Sequence, residues 1–355
     1  MAKGWDKTTI TNEAGIVVDA QAPVIVSASR GTDIPAFYAD WFFNRLEKGY
    51  SAWVNPFNGA RSYVSYDKTR FIVFWSKNPQ PLLSHLDYLE KRGIGCYIQF
   101  TLNDYENEKL ERGVPPLAQR IDTFKRLVDR LGYGGVVWRF DPLILTDTIN
   151  PDTLLQRIDN IARQLKGYTE KLVFSFADIM QYRKVKNNLE KGGINYGDWT
   201  EPEMLSMARR LAETNAGRWH LELATCGEKI ALEQFGIAHN HCVDDKLIAR
   251  RAYHDRTLMD FLGMDVKNFE TDLFTGEANV PHGAIHLDGT LYAIPHADNR
   301  DKGQRQFCGC AFSKDIGSYN TCPHLCEYCY ANASKKSALA NWQLHKNHPF
   351  SESII

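Results

Sequence analysis

From about residue 23 to residue 226 short apolar runs alternate with amphipathic stretches. Val24–Ser29, Ala52–Asn55, Phe71–Trp75, Cys96–Thr101, Val136–Phe140, Leu172–Phe176 and His220–Ala224 read as buried strands. Between them Leu117, Ile121, Phe124, Leu127, Val128 and Leu131 fall on one helical stripe, and Leu154, Leu155, Ile158, Ile161, Ala162 and Leu165 on another. Such alternation implies right-handed crossovers and a parallel sheet. The expected fold is α/β, a complete or partial (β/α) TIM-like barrel, with an open doubly wound sheet as the alternative.

Beyond residue 226 the rhythm is lost. Ala284–Leu287 and Thr290–Ile294 flank Asp288-Gly289, a pair that favours a type I′ hairpin turn, so residues 265–300 read as an insertion or flap. A cysteine-rich stretch follows, and then Ala331–Leu344, whose good helix formers predict one closing helix. The chain therefore divides into a barrel core at 1–226, barrel completion with a hairpin insertion at 227–300, and a cluster-binding C-terminal extension at 301–355.

The 355 residues, 43% of them apolar, are enough for one large core or two smaller ones. With 42 basic and 43 acidic residues no overall field draws in a polynucleotide, so a nucleic-acid partner would need a local patch and is not favoured. No apolar run reaches membrane-spanning length and the first residues lack a signal peptide's apolar stretch, so the expected location is the cytoplasm, with no membrane partner.

Five of the eight cysteines lie between residues 308 and 329. In a large chain without an export signal, clustered thiols point to metal or redox chemistry before disulfides. Cys322, Cys326 and Cys329 have the spacing C-x-x-x-C-x-x-C. Three thiolates on so short a loop hold three irons of a 4Fe–4S cubane and leave the fourth open, whereas a ferredoxin cluster takes a fourth cysteine. The alternative is a zinc knuckle completed by His324 or a more distant thiol.

The run from Lys302 through Cys308-Gly309-Cys310, then Ser313 to Cys322 and Cys329 to Asn332, resembles the C-terminal signature of a bacterial family of unknown function whose cysteine cluster is similar to that of radical SAM enzymes. Ser29–Pro35, Trp75–Pro79 and Trp138–Pro142 extend the resemblance over most of the chain. It implies that the open iron chelates S-adenosylmethionine (SAM), whose reductive cleavage gives a 5′-deoxyadenosyl radical. Tyr328 stands where radical SAM loops carry an aromatic that meets the adenine. Ordinary radical SAM enzymes place the triple early in the barrel; here it follows the strands, so the loop is expected to fold back over the barrel mouth, opposite Arg139 and Thr101.

Cys226, Cys242, Cys308 and Cys310 remain. Four thiolates are what a second iron–sulfur cluster requires, and convergence of these four is expected; zinc, with His239 or His241, and buried free thiols are the alternatives. Cys96, inside an apolar strand, reads as core. His282, His286 and His296, around the hairpin, lack metal spacing and are expected to face solvent.

Ligands of parallel α/β folds bind at the C-terminal strand ends. Arg139 and Asp141 are two apart on one strand, and Arg139 could meet a SAM carboxylate or an acidic substrate, or the two could form a satisfied ion-pair network. Arg30, Thr32 and Asp33 follow the first strand, where Asp33 could instead cap a helix; Ser76, Lys77 and Asn78 follow another, and Thr101 and Asn103 a further one. Arg139, Asp141, Arg30 and Asp33 are the catalytic candidates, and Tyr328, Thr101, Asn103, Lys77 and Asn78 the cofactor-binding ones. The chain holds no Walker A loop, G-x-G-x-x-G turn, G-x-S-x-G elbow or H-E-x-x-H helix.

These residues lead to a radical SAM-type enzyme with a 4Fe–4S cluster, SAM, an unidentified small-molecule substrate and an electron donor of the reductase or flavodoxin type. One alternative is a nucleic-acid repair or modification enzyme, since the Arg-Phe-Asp-Pro strand beside a cysteine triple is similar to spore photoproduct lyase-type proteins. The other is a non-catalytic iron–sulfur or electron-transfer protein.

Overall fold

The computed structural model describes residues 4–55, 58–270, 280–305 and 307–355. Eight strands form one sheet: β1 (Ile25–Ala28), β2 (Phe71–Ser76), β3 (Gly95–Thr101), β4 (Val136–Leu143), β5 (Lys171–Phe176), β6 (Glu222–Thr225), β7 (Ile237–His239) and β8 (Lys314–Asp315). All their ladders are parallel. Across the sheet the order is β7-β6-β5-β4-β3-β2-β1-β8, so from β1 to β7 each strand lies beside its predecessor. The expected mixed α/β fold with a large parallel sheet is present. Among the described residues no ladder joins the edge strands β7 and β8.

The strands are apolar on both faces because both are covered. Val26, Ile72, Phe74, Ile98, Phe100, Trp138, Phe140 and Phe174 pack against the crossover helices. Helix Leu117–Leu131 buries Ile121, Phe124, Leu127 and Val128 there. Helix Pro151–Gln164 starts at Asn150, whose side chain accepts from Thr153 N, with Pro151 in its first turn. On the other face Ile25, Phe71, Val73, Tyr97, Val137 and Val173 meet Val243, Leu247, Ile248, Leu258 and Met259. Most of that cover is two short helices, Asp245–Ala252 and Arg256–Leu262.

One predicted strand belongs elsewhere. The Ala52–Asn55 run lies in strand Tyr50–Val54, which pairs antiparallel with Arg61–Ser65 in a separate four-stranded sheet with Asp6–Thr11 and Val17–Ala22. The C-terminal tail is knitted to this sheet through Ala52 N to Glu352 O, 2.7 Å, and Tyr50 Oη to the Glu352 carboxylate, 2.7 Å. The closing helix runs Lys335–Asn347, somewhat later than its composition suggests, because Ser334 caps it by accepting from Ser337 N.

The hairpin is present as Ile285–Asp288 and Leu291–Pro295, with Met264–Asn268 as a third antiparallel strand. Its turn falls on Gly289-Thr290, and Gly289 at φ 52° is its one positive-φ residue. The type I′ expectation needed left-handed backbone at Asp288 as well, and Asp288 instead pairs with Leu291. Residues 271–279 of the expected insertion lie outside the described residues.

Candidate metal centres

The segment Cys322–Cys329 lies over the C-terminal ends of the first strands, tied directly to the residues past β1, β2 and β3 and through Asn103 to β4. His324 Nε2 is 2.7 Å from Asp33 past β1, and Lys77 Nζ past β2 donates to Tyr328 Oη at 3.0 Å. Asn103 Nδ2 past β3 lies 3.0 Å from Tyr328 Oη and 3.1 Å from Asp141 O on β4. Leu325 turns the loop with a left-handed φ of 56°, a conformation costing a leucine about 1–2 kcal/mol. Asn332 Nδ2 to Cys322 O, 2.8 Å, and Glu327 N to Leu110 O, 2.9 Å, hold the two ends of the turn in place.

At the centre of these ties is Glu111, which sequence reading does not single out: it sits in an irregular stretch between β3 and the next helix, with no spacing to mark it. Its carboxylate accepts from Lys77 Nζ at 2.7 Å, from Asn103 at 3.1 Å and from Tyr328 Oη. Burial alone would raise its pKa, but the Lys77 ammonium and the Arg120 guanidinium bring it down to about 2. Lys77 is held above its ordinary value by Glu111 despite burial.

Several candidate roles change with this geometry. Tyr328, expected to present its ring to an adenine, is buried with its hydroxyl turned inward to Glu111, because that carboxylate needs donors in a dry site. Lys77 and Asn103, expected to hold a cofactor, spend their polar atoms on the same network. Asp33, a catalytic candidate, is consumed structurally: it accepts from Ala36 N as a helix cap, from Ser76 Oγ, from Lys77 N and from His324. Thr101 pairs with Arg139 at the sheet's polar end and stays half-buried, and Asn78 donates its backbone N to Ser76 Oγ at 2.9 Å.

His324 matters for the kind of metal. Nδ1 lies 3.0 Å from Gly113 O and Nε2 2.7 Å from Asp33, so both ring nitrogens are already engaged by oxygen atoms and neither is turned to a metal. A tetrahedral zinc site also brings its sulfurs to about 3.8 Å from one another, from Zn–S bonds of about 2.3 Å. Among the described residues the only His, Cys, Asp or Glu trio with ligand atoms mutually within 4.8 Å is His241, Asp244 and Asp245, where Asp244 is already the cap of helix Asp245–Ala252. The triple is therefore spread wider than one ion needs. Burial pushes all three thiols, Cys322, Cys326 and Cys329, up, so thiolates there call for a positive centre beside them. Three ligands, spread and without a fourth, fit a cubane with one open iron.

The other four thiols come together at the opposite side of the sheet's C-terminal end. Cys226 follows β6 and Cys242 follows β7, with their sulfurs 3.2 Å apart. Cys310 reaches Cys242 on one side and Cys308 on the other. Hydrogen bonding from Cys310 brings the Cys308 thiol down to about 7 against its partial burial. Gly309 lets this turn pass: a Cβ there would lie 2.2 Å from the His241 ring. His239 lies 3.5 Å from Glu233 and His241 3.4 Å from Asp245.

Arg139 belongs to this second set and not to the triple. On β4 it shares a face with Gln99 and Val173, and the chain at Cys242 crosses that face, fixed by Tyr97 Oη and Gln99 Nε2 to Cys242 O at 2.7 and 2.8 Å. Arg139 Nη1 accordingly points to Cys242 Sγ at 3.1 Å, while Nη2 pairs with Asp141. Asp141 also accepts from Ser175 Oγ and takes its backbone N to Asn103 Oδ1 at 2.9 Å. Arg30 lies over the Trp75 ring at 5.2 Å, on the side facing Cys310 and Cys308.

Cys96 is a buried core residue whose thiol burial pushes up to about 11. His282, His286 and His296 are exposed. No described helix is long and apolar enough to cross a membrane.

A family model described as a domain of unknown function, DUF1848, matches residues 25–331, from the first residue of β1 to just past Cys329. No curated protein and no solved structure gives a significant match.

Proposed function

The chain belongs to the DUF1848 family of domains of unknown function, so its chemistry has to be argued from its own residues, and we propose that it is an iron–sulfur enzyme of the radical SAM type built on a partial (β/α) barrel. One observation carries this reading: three thiols, Cys326 buried and Cys322 and Cys329 half-buried, share a loop over the strand ends, while the one histidine among them has both nitrogens engaged by Gly113 and Asp33. That leaves three protein ligands for a cluster that would otherwise take four.

With SAM on its open iron, a reduced 4Fe–4S cluster of this kind supplies a 5′-deoxyadenosyl radical. The chain's own part is positioning and exclusion of water. The Lys77, Glu111, Tyr328 and Asn103 network fixes the loop from beneath, so the sulfurs are held on a rigid base. Thr101, Asp141 and Ser175, at the polar ends of β3 to β5, are the groups that would orient SAM and a small-molecule substrate. A reductase or flavodoxin-type protein would supply the electron. The one-directional strand order from β1 to β7 supports the partial barrel.

The test is anaerobic reconstitution followed by dithionite and SAM. The expected results are 5′-deoxyadenosine and an EPR signal that changes when SAM is added, both absent from the Cys322→Ala/Cys326→Ala/Cys329→Ala protein. An intact cluster at the triple whose spectrum ignores SAM, with no 5′-deoxyadenosine, overturns the proposal in favour of an electron-transfer protein.

A further inference from the structure

Four sulfurs drawn from three separate segments of chain meet at one place, and the groups around them are donors and cations. Cys226 and Cys242 are 3.2 Å apart, and Cys310 bridges Cys242 to Cys308. Three N–H groups point at sulfur: Arg139 Nη1 and Asn240 Nδ2 at Cys242, 3.1 and 3.2 Å, and Val243 N at Cys310, 3.3 Å. A neutral thiol is a weak acceptor, so three donors converging on two buried sulfurs suit thiolates.

The charge around the set points the same way. Arg30 Nη2 is buried with no hydrogen-bond partner, and its guanidinium is stacked on Trp75. Arg139 lies on the same ring at 5.4 Å. Arg305 closes the third side, held by Tyr182 Oη at 3.1 Å and packed so closely on Gly227 that a Cβ there would lie 2.6 Å from it. Asp315 acts on Arg30 but accepts from its backbone N, which leaves the buried Nη2 unpaired, and a four-thiolate metal centre with a net negative charge would supply that partner.

We infer that Cys226, Cys242, Cys308 and Cys310 hold a second metal centre, an iron–sulfur cluster, with Arg30 and Arg139 as its counter-charges. A polynuclear centre is favoured over a single zinc ion by the shape of the set. The sulfurs run in file, Cys226 to Cys242 to Cys310 to Cys308, and no three of them lie mutually within 4.8 Å, whereas a tetrahedron closes all its edges to about 3.8 Å. In a cluster the ligands are distributed over several irons. Hydrogen bonds and positive charge near such sulfurs make the centre easier to reduce. The inference is independent of the reading of the triple.

The decisive protein is the Cys322→Ala/Cys326→Ala/Cys329→Ala variant, in which only the second set remains, purified anaerobically and reconstituted with iron and sulfide. It should keep a cluster by iron and sulfide analysis and by EPR after reduction, and adding Cys226→Ser and Cys308→Ser should remove it. In the triple-alanine background Arg30→Gln and Arg139→Gln should each shift the midpoint potential to more negative values with iron content retained, a readout that keeps the test open if the serine variants do not fold. Stoichiometric zinc, a Cys226–Cys242 disulfide, or four thiols that titrate freely in the folded protein would each overturn the inference. If the triple holds no cluster and this inference is right, the triple-alanine protein contains the same iron as the wild type; if the triple holds a cluster that ignores SAM, the variant loses that cluster's iron and keeps the rest.

Discussion

His324 Nε2 lies 2.7 Å from the carboxylate of Asp33 across 291 positions of sequence, and this contact ties the cysteine loop to the end of β1. Asp33→Asn keeps a helix cap but puts a donor where Lys77 N and His324 need an acceptor. The variant should lose about 2 kcal/mol of stability, the scale of hydrogen bonds to a charged group. His324→Gln should also destabilise the loop, yet leave iron per folded chain unchanged. Denaturation with parallel iron analysis checks both, and iron lost from folded His324→Gln protein would make the histidine a ligand.

Gly113 touches the same loop through its backbone. A Cβ at this position would lie 2.6 Å from Pro323 O and 2.9 Å from His324 Cα, atoms that cannot rotate away. Gly113→Ala should therefore cost about 1–3 kcal/mol, as overpacking does. It should also raise hydrogen exchange of the amides from Thr321 to Tyr330 relative to the strands.

Glu111 and Lys77 form a buried pair, with side chains 4% and 17% exposed. Glu111→Gln leaves the ammonium without its carboxylate, at a cost of about 3–5 kcal/mol. Lys77→Met in addition should restore part of that, because the ammonium is gone and only the Arg120 guanidinium is left facing the neutral side chain. Urea denaturation of the two single variants and the double variant measures the coupling; strictly additive losses would mean that the pair does not act as a unit.

His345 sits on the closing helix with Nδ1 3.1 Å from Ile354 O and its ring against Tyr38. Burial holds its pKa below the ordinary 6.5, against the pull of that carbonyl. Below 6.5 the unfolded chain takes up this proton more readily than the folded one, so the stabilisation is complete above 6.5 and is lost as pH falls toward the folded pKa. His345→Gln should flatten that part of the pH profile. Urea midpoints at a neutral and a mildly acidic pH test it, and an identical slope in both proteins would locate the dependence elsewhere.

Periodicity along the chain was enough to recognise an α/β fold with a parallel sheet, since each buried strand and each helical stripe carries its own local pattern. The stripe at Ile121, Phe124, Leu127 and Val128 is one such signal, and the spacing of Cys322, Cys326 and Cys329 is another: both are set by neighbours in sequence. Which sheet a strand joins is different. Ala52–Asn55 has the apolar run of a parallel strand, but its partner, Arg61–Ser65, follows it closely and captures it antiparallel. The short strands at β7 and β8 were missed because three or two residues carry no period.

The sequence alone determined the α/β class and the loop that carries three thiols, and for the four cysteines left over it raised convergence beside the alternatives of zinc and buried free thiols. Only the tertiary structure decided where charges point. Arg139 and Tyr328 both sit where a cofactor contact was expected, yet one turns to Cys242 and the other to Glu111. The physical reason is that a buried polar atom takes whichever partner the packing brings within reach, and those partners, Cys242 and Glu111, come from segments 103 and 217 positions away.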